Sequence, residues 1–169
     1  GSEMCIRDSR YTFSQIGNTS NIALDSFYWR DTLPAQVTVN RLVTGTYNQA
    51  QNYKIVYKVN GAGVYRTLAD NLSTTKNYVL DMRPAVLGLA ANERVTEIMF
   101  VFGTVPAGFA QVETPVLYGT VCGGLSNGTN LVNSADVGGL YSGQWVQAVS
   151  RWLTTVYAKM TMTLPKTGY

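Results

Sequence analysis

The chain has 169 residues, of which 14% are charged, and its formal net charge is +3 with no histidine. This length suits one domain with a hydrophobic core and is short for two. The lack of histidine removes the commonest general base and transition-metal ligand, and the scattered lysines and arginines exclude the basic stripe of a nucleic-acid-binding protein.

The two cysteines, Cys5 and Cys122, are too few for a disulfide scaffold. Cys122 is predicted to be a small buried hydrophobe, and a bond to Cys5 is the alternative. No apolar run approaches the ~20 residues of a membrane helix, so we predict no membrane span. No loop carries the Asp-rich pattern of a calcium site, and neither a metal nor a cofactor is predicted.

Residues 1–9, with the sequence GSEMCIRDS, differ from the rest of the chain. They resemble a peptide that arises when sequencing-adapter DNA is translated at the edge of a metagenomic fragment. An ordinary N-terminal extension or a cloning remnant is the alternative, and in each case we leave the segment, as a non-native or artefactual leader, out of the predicted fold. We expect the domain to begin near Arg10, partway through a longer protein whose signal peptide lies upstream.

Alternation of apolar and polar residues predicts strands along most of the chain. The first covers 11–16, and the second covers 21–34 with a bulge near Asp25, where the alternation changes phase. After a third strand at 37–43, the clearest one covers 52–59. In that strand the lysines alternate with four large apolar residues: Tyr53, Ile55, Tyr57 and Val59. The Asn-Gly pair at 60–61 is typical of a hairpin turn.

The second half of the chain continues this pattern. We predict strands at 64–68, 77–82, 94–103, 116–122, 130–139 and 144 to about 159, with one helical turn within 84–91. The strand at 94–103 becomes apolar on both faces, which is typical of a central strand covered on both sides. Many short strands without a helical period predict an all-β fold, an immunoglobulin-like antiparallel β-sandwich over 10–160.

The C-terminal residues carry a short pattern: Leu164, Pro165, Lys166, Thr167 and Gly168. It resembles the LPxTG sorting signal of Gram-positive surface proteins. The resemblance implies that a sortase cleaves after Thr167 and joins it to peptidoglycan, so that the protein is extracellular and cell-wall anchored. Residues 161–169 would be an extended tail. In that family an apolar segment follows the signal; here that segment lies beyond Tyr169, or anchoring works differently or does not occur.

Two internal segments, 21–34 and 130–139, carry a second resemblance. Their motifs are Asp-Thr-Leu-Pro at 31–34 and Asn-x-Ala-x-Val at 133–137. They are similar to the conserved-repeat domain of bacterial surface proteins, an immunoglobulin-like sandwich found in tandem on cell walls. The resemblance spans most of 10–160, but only these short motifs are specific.

The same two motifs occur in pilin-like domains that form an intramolecular Lys–Asn isopeptide bond. The resemblance implies that Asp31 is the buried carboxylate and Asn133 the bonded asparagine. The lysine expected on the first strand is missing, since Arg10 stands there and no lysine precedes Lys54. We therefore favour a structural interpretation, in which Asp31 and Asn133 tie strand ends through side-chain to backbone hydrogen bonds.

Catalysis has little support in the sequence. Two acidic pairs, Asp25 with Asp31 and Glu93 with Glu97, are the nearest to a glycosidase pair, but their spacing fixes no geometry, and we predict no catalytic residue. The eleven tyrosines and three tryptophans could form a sugar-stacking platform, although core packing is the alternative use of aromatic residues. The candidate glycan contacts are Trp145, Trp152 and Tyr157.

We therefore predict a non-catalytic structural or adhesive stalk module of a cell-wall-anchored surface protein. Its partners would be a sortase and peptidoglycan, with a host or glycan ligand as a further candidate. The alternative is a carbohydrate- or host-glycan-binding module displayed by the same anchor. An exposed aromatic cluster would favour the alternative, whereas buried aromatic residues under a polar surface would favour the stalk.

Overall fold

The computed structural model describes residues 5–13, 15–122 and 129–156, and for 5–9, 122, 129–130, 132 and 149–156 it describes the backbone alone. The elements in these ranges are β1 (Cys5–Thr12), β2 (Leu24–Thr32), β3 (Val37–Val43), β4 (Thr46–Tyr47), β5 (Asn52–Val59), β6 (Tyr65–Ser73), β7 (Val79–Asp81), α1 (Pro84–Leu87), β8 (Val95–Val105), β9 (Gln111–Glu113), β10 (Val116–Cys122), β11 (Thr129–Tyr141) and β12 (Gln144–Val156). Within the described chain, no helix has the length and apolar character needed to cross a bilayer.

Two antiparallel sheets form the body of the molecule. The smaller has four strands in the order β1-β10-β3-β7, and the larger has six in the order β12-β11-β2-β8-β5-β6. Strands β4 and β9 pair only with each other and form a separate two-stranded sheet. The packing of the two main sheets confirms the predicted all-β fold, an antiparallel β-sandwich.

Aromatic side chains form much of the core. Phe13 lies with its ring centroid 4.5 Å from Trp29 and 6.2 Å from Phe100, so a residue just after β1 packs on two strands of the larger sheet. Phe100 and Phe102 also stack on Tyr53. Trp29 and Tyr53 are only 3% and 4% exposed, which confirms core packing as their role.

Local sequence patterns correctly predicted several elements. The β2–β8 register shifts between Leu24 and Phe27, and Ser26 takes a positive φ of 49°, which confirms the bulge expected near Asp25. Asn60 and Gly61 have φ angles of 53° and 66°, the conformation that a tight hairpin turn requires. The helical turn expected within 84–91 is α1, which has proline at its start.

Two predictions about strands were wrong. The first strand covers Cys5–Thr12 and not 11–16, so 5–9 lie in β1, and Cys5 stands opposite Cys122 in its register with β10. β8 is central, between β2 and β5, but its outward residues are half-buried, so only its inner face is fully covered. A sandwich sheet has only one face in the core, whatever the apolar content of its strands.

Adjacent glycines fix the path of β11. A Cβ atom on Gly139 would lie 2.9 Å from Cβ of Leu24, and one on Gly138 would lie 2.9 Å from the carbonyl oxygen of Val146. The β11–β2 register shifts immediately after Gly138. The absence of side chains therefore lets β11 pass close to both of its neighbours.

Candidate functional site

The structure brings together Asp31 and Asn133, the polar residues of the two sequence motifs. Asp31 stands opposite Ala135 of β11 and Ile98 of β8 in the sheet register. Asn133 precedes Ala135 by two residues and therefore points to the same face, diagonally across from Asp31. Both side chains are 0% exposed, so this pair, which we call the buried pair, lies in the core.

The buried pair is not satisfied by hydrogen bonds. Neither carboxylate oxygen of Asp31 and neither side-chain polar atom of Asn133 has a hydrogen-bond partner. The predicted side-chain to backbone bonds are therefore wrong. The physical reason is that both side chains point into the core, whereas the neighbouring strand backbone is already paired within the sheet.

Burial changes the charge of Asp31. Loss of hydration raises the pKa of its carboxyl group to about 8, and the adjacent Asn133 amide only partly offsets this rise. Asp31 is consequently a neutral acid at pH 7, with a proton to donate. A neutral carboxyl beside a carboxamide can polarise the amide carbonyl, which is the first requirement for attack on it by an amine.

The amine for such a reaction is not supplied by the lysines in the described chain. Lys54 and Lys76 are exposed. The ammonium of Lys58 lies 3.9 Å from Glu97 and 4.4 Å from the ring centroid of Tyr65, on the face of the sheet that points away from the core. The described residues therefore place no lysine amine beside the buried pair, which an isopeptide bond would require.

A polar network occupies the opposite, outward face of the same sheet. Arg30 donates to both carboxylate oxygens of Asp136 across β2 and β11, at 2.8 Å and 2.7 Å. Tyr28 donates to Asp136 at 2.8 Å, and Gln147 of β12 donates to the Tyr28 hydroxyl at 2.8 Å. Asp136 therefore accepts three hydrogen bonds, two of them from a charged donor.

The network continues toward the other edge of the sheet. Arg30 lies 3.4 Å from the hydroxyl of Tyr65, which donates to Glu97 at 2.7 Å. Glu97 in turn pairs with Lys58. The contacts therefore join side chains from all six strands, and we call this set the sheet-spanning network: Tyr28, Arg30, Lys58, Tyr65, Glu97, Asp136 and Gln147.

Sequence reasoning missed the sheet-spanning network. A signal was present, because Arg30 precedes Asp31 and Asp136 lies within the Asn-x-Ala-x-Val motif that begins at Asn133. If the inward residues of two motifs meet across a pair of strands, their outward neighbours meet as well.

The three candidate glycan contacts differ in how much of each the structure describes. Trp145 is 57% exposed near the tip of the β11–β12 hairpin, with its ring centroid 6.1 Å from Tyr28, and Tyr141 of the same hairpin is 50% exposed. Trp152 lies in β12 opposite Asn133, where only the backbone is described. Tyr157 lies outside the described residues, as do all five positions of the sorting motif: Leu164, Pro165, Lys166, Thr167 and Gly168.

In the described part of the chain, no group of three or more His, Cys, Asp or Glu side chains is placed to hold a metal ion. Comparison of the chain with protein-family models, with curated proteins and with solved structures gives no match. The candidate sites therefore rest on the geometry above and on the sequence motifs.

Proposed function

We propose that this chain is a non-catalytic structural module of a bacterial surface protein, attached to the Gram-positive cell wall by a sortase. In this role the sandwich spaces a more distal domain from the wall, with Thr167 as the residue joined to peptidoglycan. The observation that carries the proposal is the pattern Leu164-Pro165-x-Thr167-Gly168, which combines the residue types that a sortase recognises.

The packing of the sandwich supports a load-bearing role. A stalk must keep its strands together when it is pulled, and cross-strand side-chain pairs contribute to that resistance. The sheet-spanning network links every strand of the larger sheet, and behind it the aromatic core couples Phe13 to Trp29 and Phe100. In the part of the chain whose side chains are described, most large aromatic residues are buried, as a spacer with a polar surface requires.

The proposal is tested by incubating the purified chain with a class A sortase and triglycine, followed by intact mass measurement. We expect a product that has lost Gly168 and Tyr169 and gained the nucleophile. The variant Thr167→Ala is the matched control and should remain unreacted. A wild-type chain that also remains unreacted, although a non-specific protease trims its C-terminus, would contradict anchoring by this route.

A second candidate function, glycan binding, is favoured by Trp145 and Tyr141. Exposed aromatic rings at a hairpin tip offer apolar faces on which sugar rings stack. An array of bacterial and host glycans, probed with the wild-type chain and with Trp145→Ala, tests this role. Retention of a glycan by wild type and its loss in the variant would establish a ligand, and identical profiles would remove Trp145 from consideration.

A further inference from the structure

A cavity of about 510 Å³ opens on the four-stranded sheet. Strands β3, β7 and β10 supply its walls, with residues from the turn between β7 and α1. This volume lies within the range of about 300–1,000 Å³ that is typical of small-ligand sites. Its polar lining side chains are Asn40, Arg41, Asp81, Arg83, Tyr118 and Thr120.

Arg41 is the cation available to a ligand in this cavity. Its guanidinium carbon lies 4.1 Å from the centroid of the Tyr118 ring, and the two residues are direct partners in the β10–β3 register. Arg41 is exposed, and it belongs to none of the ion pairs in the described chain. Stacking on the ring holds the guanidinium in place and leaves its N–H groups free for an anion.

The second arginine of the cavity already has an acidic partner. Arg83 donates to both oxygens of Asp81, with contacts of 2.9 Å and 2.6 Å. This pairing lowers the pKa of Asp81, so its carboxylate stays ionised at neutral pH. Arg83 and Asp81 together are neutral, and the cavity therefore carries one net positive charge, from Arg41.

The remaining lining groups both donate and accept hydrogen bonds. Asn40 donates its Nδ2 to the hydroxyl oxygen of Thr120 at 3.0 Å. That contact leaves Asn40 Oδ1 as an acceptor and the Thr120 hydroxyl as a donor. Sugar hydroxyls use both kinds of partner, whereas an isolated anion such as sulfate has no use for the acceptors of Asn40 and Asp81.

We propose that this cavity is a binding site for a sugar that carries a carboxylate, such as a uronic acid unit of an acidic glycan. Arg41 holds the carboxylate in a bidentate contact, and Asn40 and Thr120 hold hydroxyl groups of the same ring. Tyr118 lines the same cavity and borders the bound sugar. This site lies on a different sheet from Trp145 and is independent of anchoring to the cell wall.

The test is titration of the wild-type chain with trigalacturonate, followed by calorimetry and by amide chemical shifts. We expect saturable binding, with the largest shifts at 40–41, 81 and 118–120. Arg41→Gln should weaken the affinity by tenfold or more, because its charge contact with the carboxylate is lost. Lys76→Gln removes the same charge from an exposed site outside the cavity and should leave the affinity within about twofold of wild type.

Three other outcomes would overturn the proposal. One is the absence of saturable binding at millimolar trigalacturonate. Another is equal weakening by Arg41→Gln and Lys76→Gln, which would mean non-specific attraction to a basic protein. The last is equal or tighter binding of the neutral trisaccharide or of a sugar phosphate, since either would remove the carboxylate as the recognised group. Circular dichroism of each variant checks that the sandwich is intact.

Discussion

Two neighbouring residues of β2, Arg30 and Asp31, have opposite environments. Arg30 points outward and is held by Asp136, Tyr28 and Tyr65 through the sheet-spanning network. Asp31 points inward and has no hydrogen-bond partner for either oxygen. A one-residue step along a strand therefore separates a satisfied ion pair from a desolvated acid. The face of the sheet, and not the segment of sequence, decides how a charge is treated.

The polar groups on the two faces of this sheet also affect folding stability in different ways. On the outer face, partly exposed groups of opposite charge are joined by hydrogen bonds, so each polar group of the sheet-spanning network has a partner. On the inner face, the protein keeps Asp31 neutral because ionising it without a partner would cost more than retaining its proton. The outer set should thus contribute to stability directly, and the buried pair should make stability depend on pH.

The largest expected effect concerns Asp31 and pH. Its folded pKa of about 8 exceeds the value of ~4 for an unfolded aspartate, so between these values the native state holds a proton that the unfolded state releases. The free energy of unfolding should therefore fall as the pH rises, by about 4 kcal/mol from pH 5 to pH 8. Asp31→Asn cannot ionise and should flatten this dependence. Urea unfolding followed by tryptophan fluorescence at both pH values measures it.

The pH experiment has a matched control in Asp70, which is exposed. Asp70→Asn should keep the wild-type pH dependence, because it leaves the buried carboxyl unchanged. No histidine titrates in this window, since the chain has none. A decline with pH that persists unchanged in Asp31→Asn would show that another group is responsible.

The second prediction concerns the ion pair between Arg30 and Asp136 on the outer face of the sheet. Arg30→Gln leaves the carboxylate of Asp136, which is only 16% exposed, without its charged partner. We expect a loss of about 1–2 kcal/mol in the free energy of unfolding, measured in urea at pH 6. Arg66→Gln, which breaks the more exposed pair with Glu93, should cost less. Equal losses in the two variants would mean that the network adds nothing to an ordinary surface pair.

The third prediction concerns the other end of the sheet-spanning network. Lys58→Met removes a cation 3.9 Å from Glu97 and keeps most of the side-chain volume. The loss should be about 0.5–1 kcal/mol, because Glu97 retains the hydrogen bond from Tyr65. Combined with Arg30→Gln in a double-mutant cycle, it should show a coupling of about 0.5 kcal/mol through the shared Tyr65. Strict additivity would show that the network is two separate contacts.

The smallest expected effect on stability is at Trp145. Because this side chain is 57% exposed, Trp145→Ala should change the free energy of unfolding by less than about 0.5 kcal/mol. Thermal unfolding measures the change. A much larger loss would mean that the contact with Tyr28 makes Trp145 part of the packing, which would weaken its candidacy for glycan binding.

The sequence predicted well those features that depend on near neighbours. Alternation placed Tyr53 and Tyr57 on the inner face, and the phase change near Asp25 marked the bulge, since both signals lie within a few residues. The burial of Asp31 was expected only from the resemblance to isopeptide-forming domains, although alternation with Trp29 is consistent with it.

Features that join distant parts of the chain were not predictable in this way. The contact between Arg30 and Asp136 spans 106 residues, and its geometry depends on which strands share a sheet. The cavity at Arg41 draws on three strands that are separated along the chain. Strand pairing is fixed by packing over the whole domain, which local periodicity does not contain.

The close approach of β11 at Gly138 and Gly139 divides its hairpin into two parts with different freedom to vary. At these two glycines, a side chain would collide with Leu24 or Val146, so substitutions should be strongly selected against. At the tip, Gly143 has open space around it, and the flanking residues are exposed. A side chain at Gly143 itself would be strained by its φ of 76°, but changes at the exposed flanking residues should be tolerated. The hairpin can therefore acquire new surface chemistry around Trp145 over evolutionary time without cost to the sandwich that carries it.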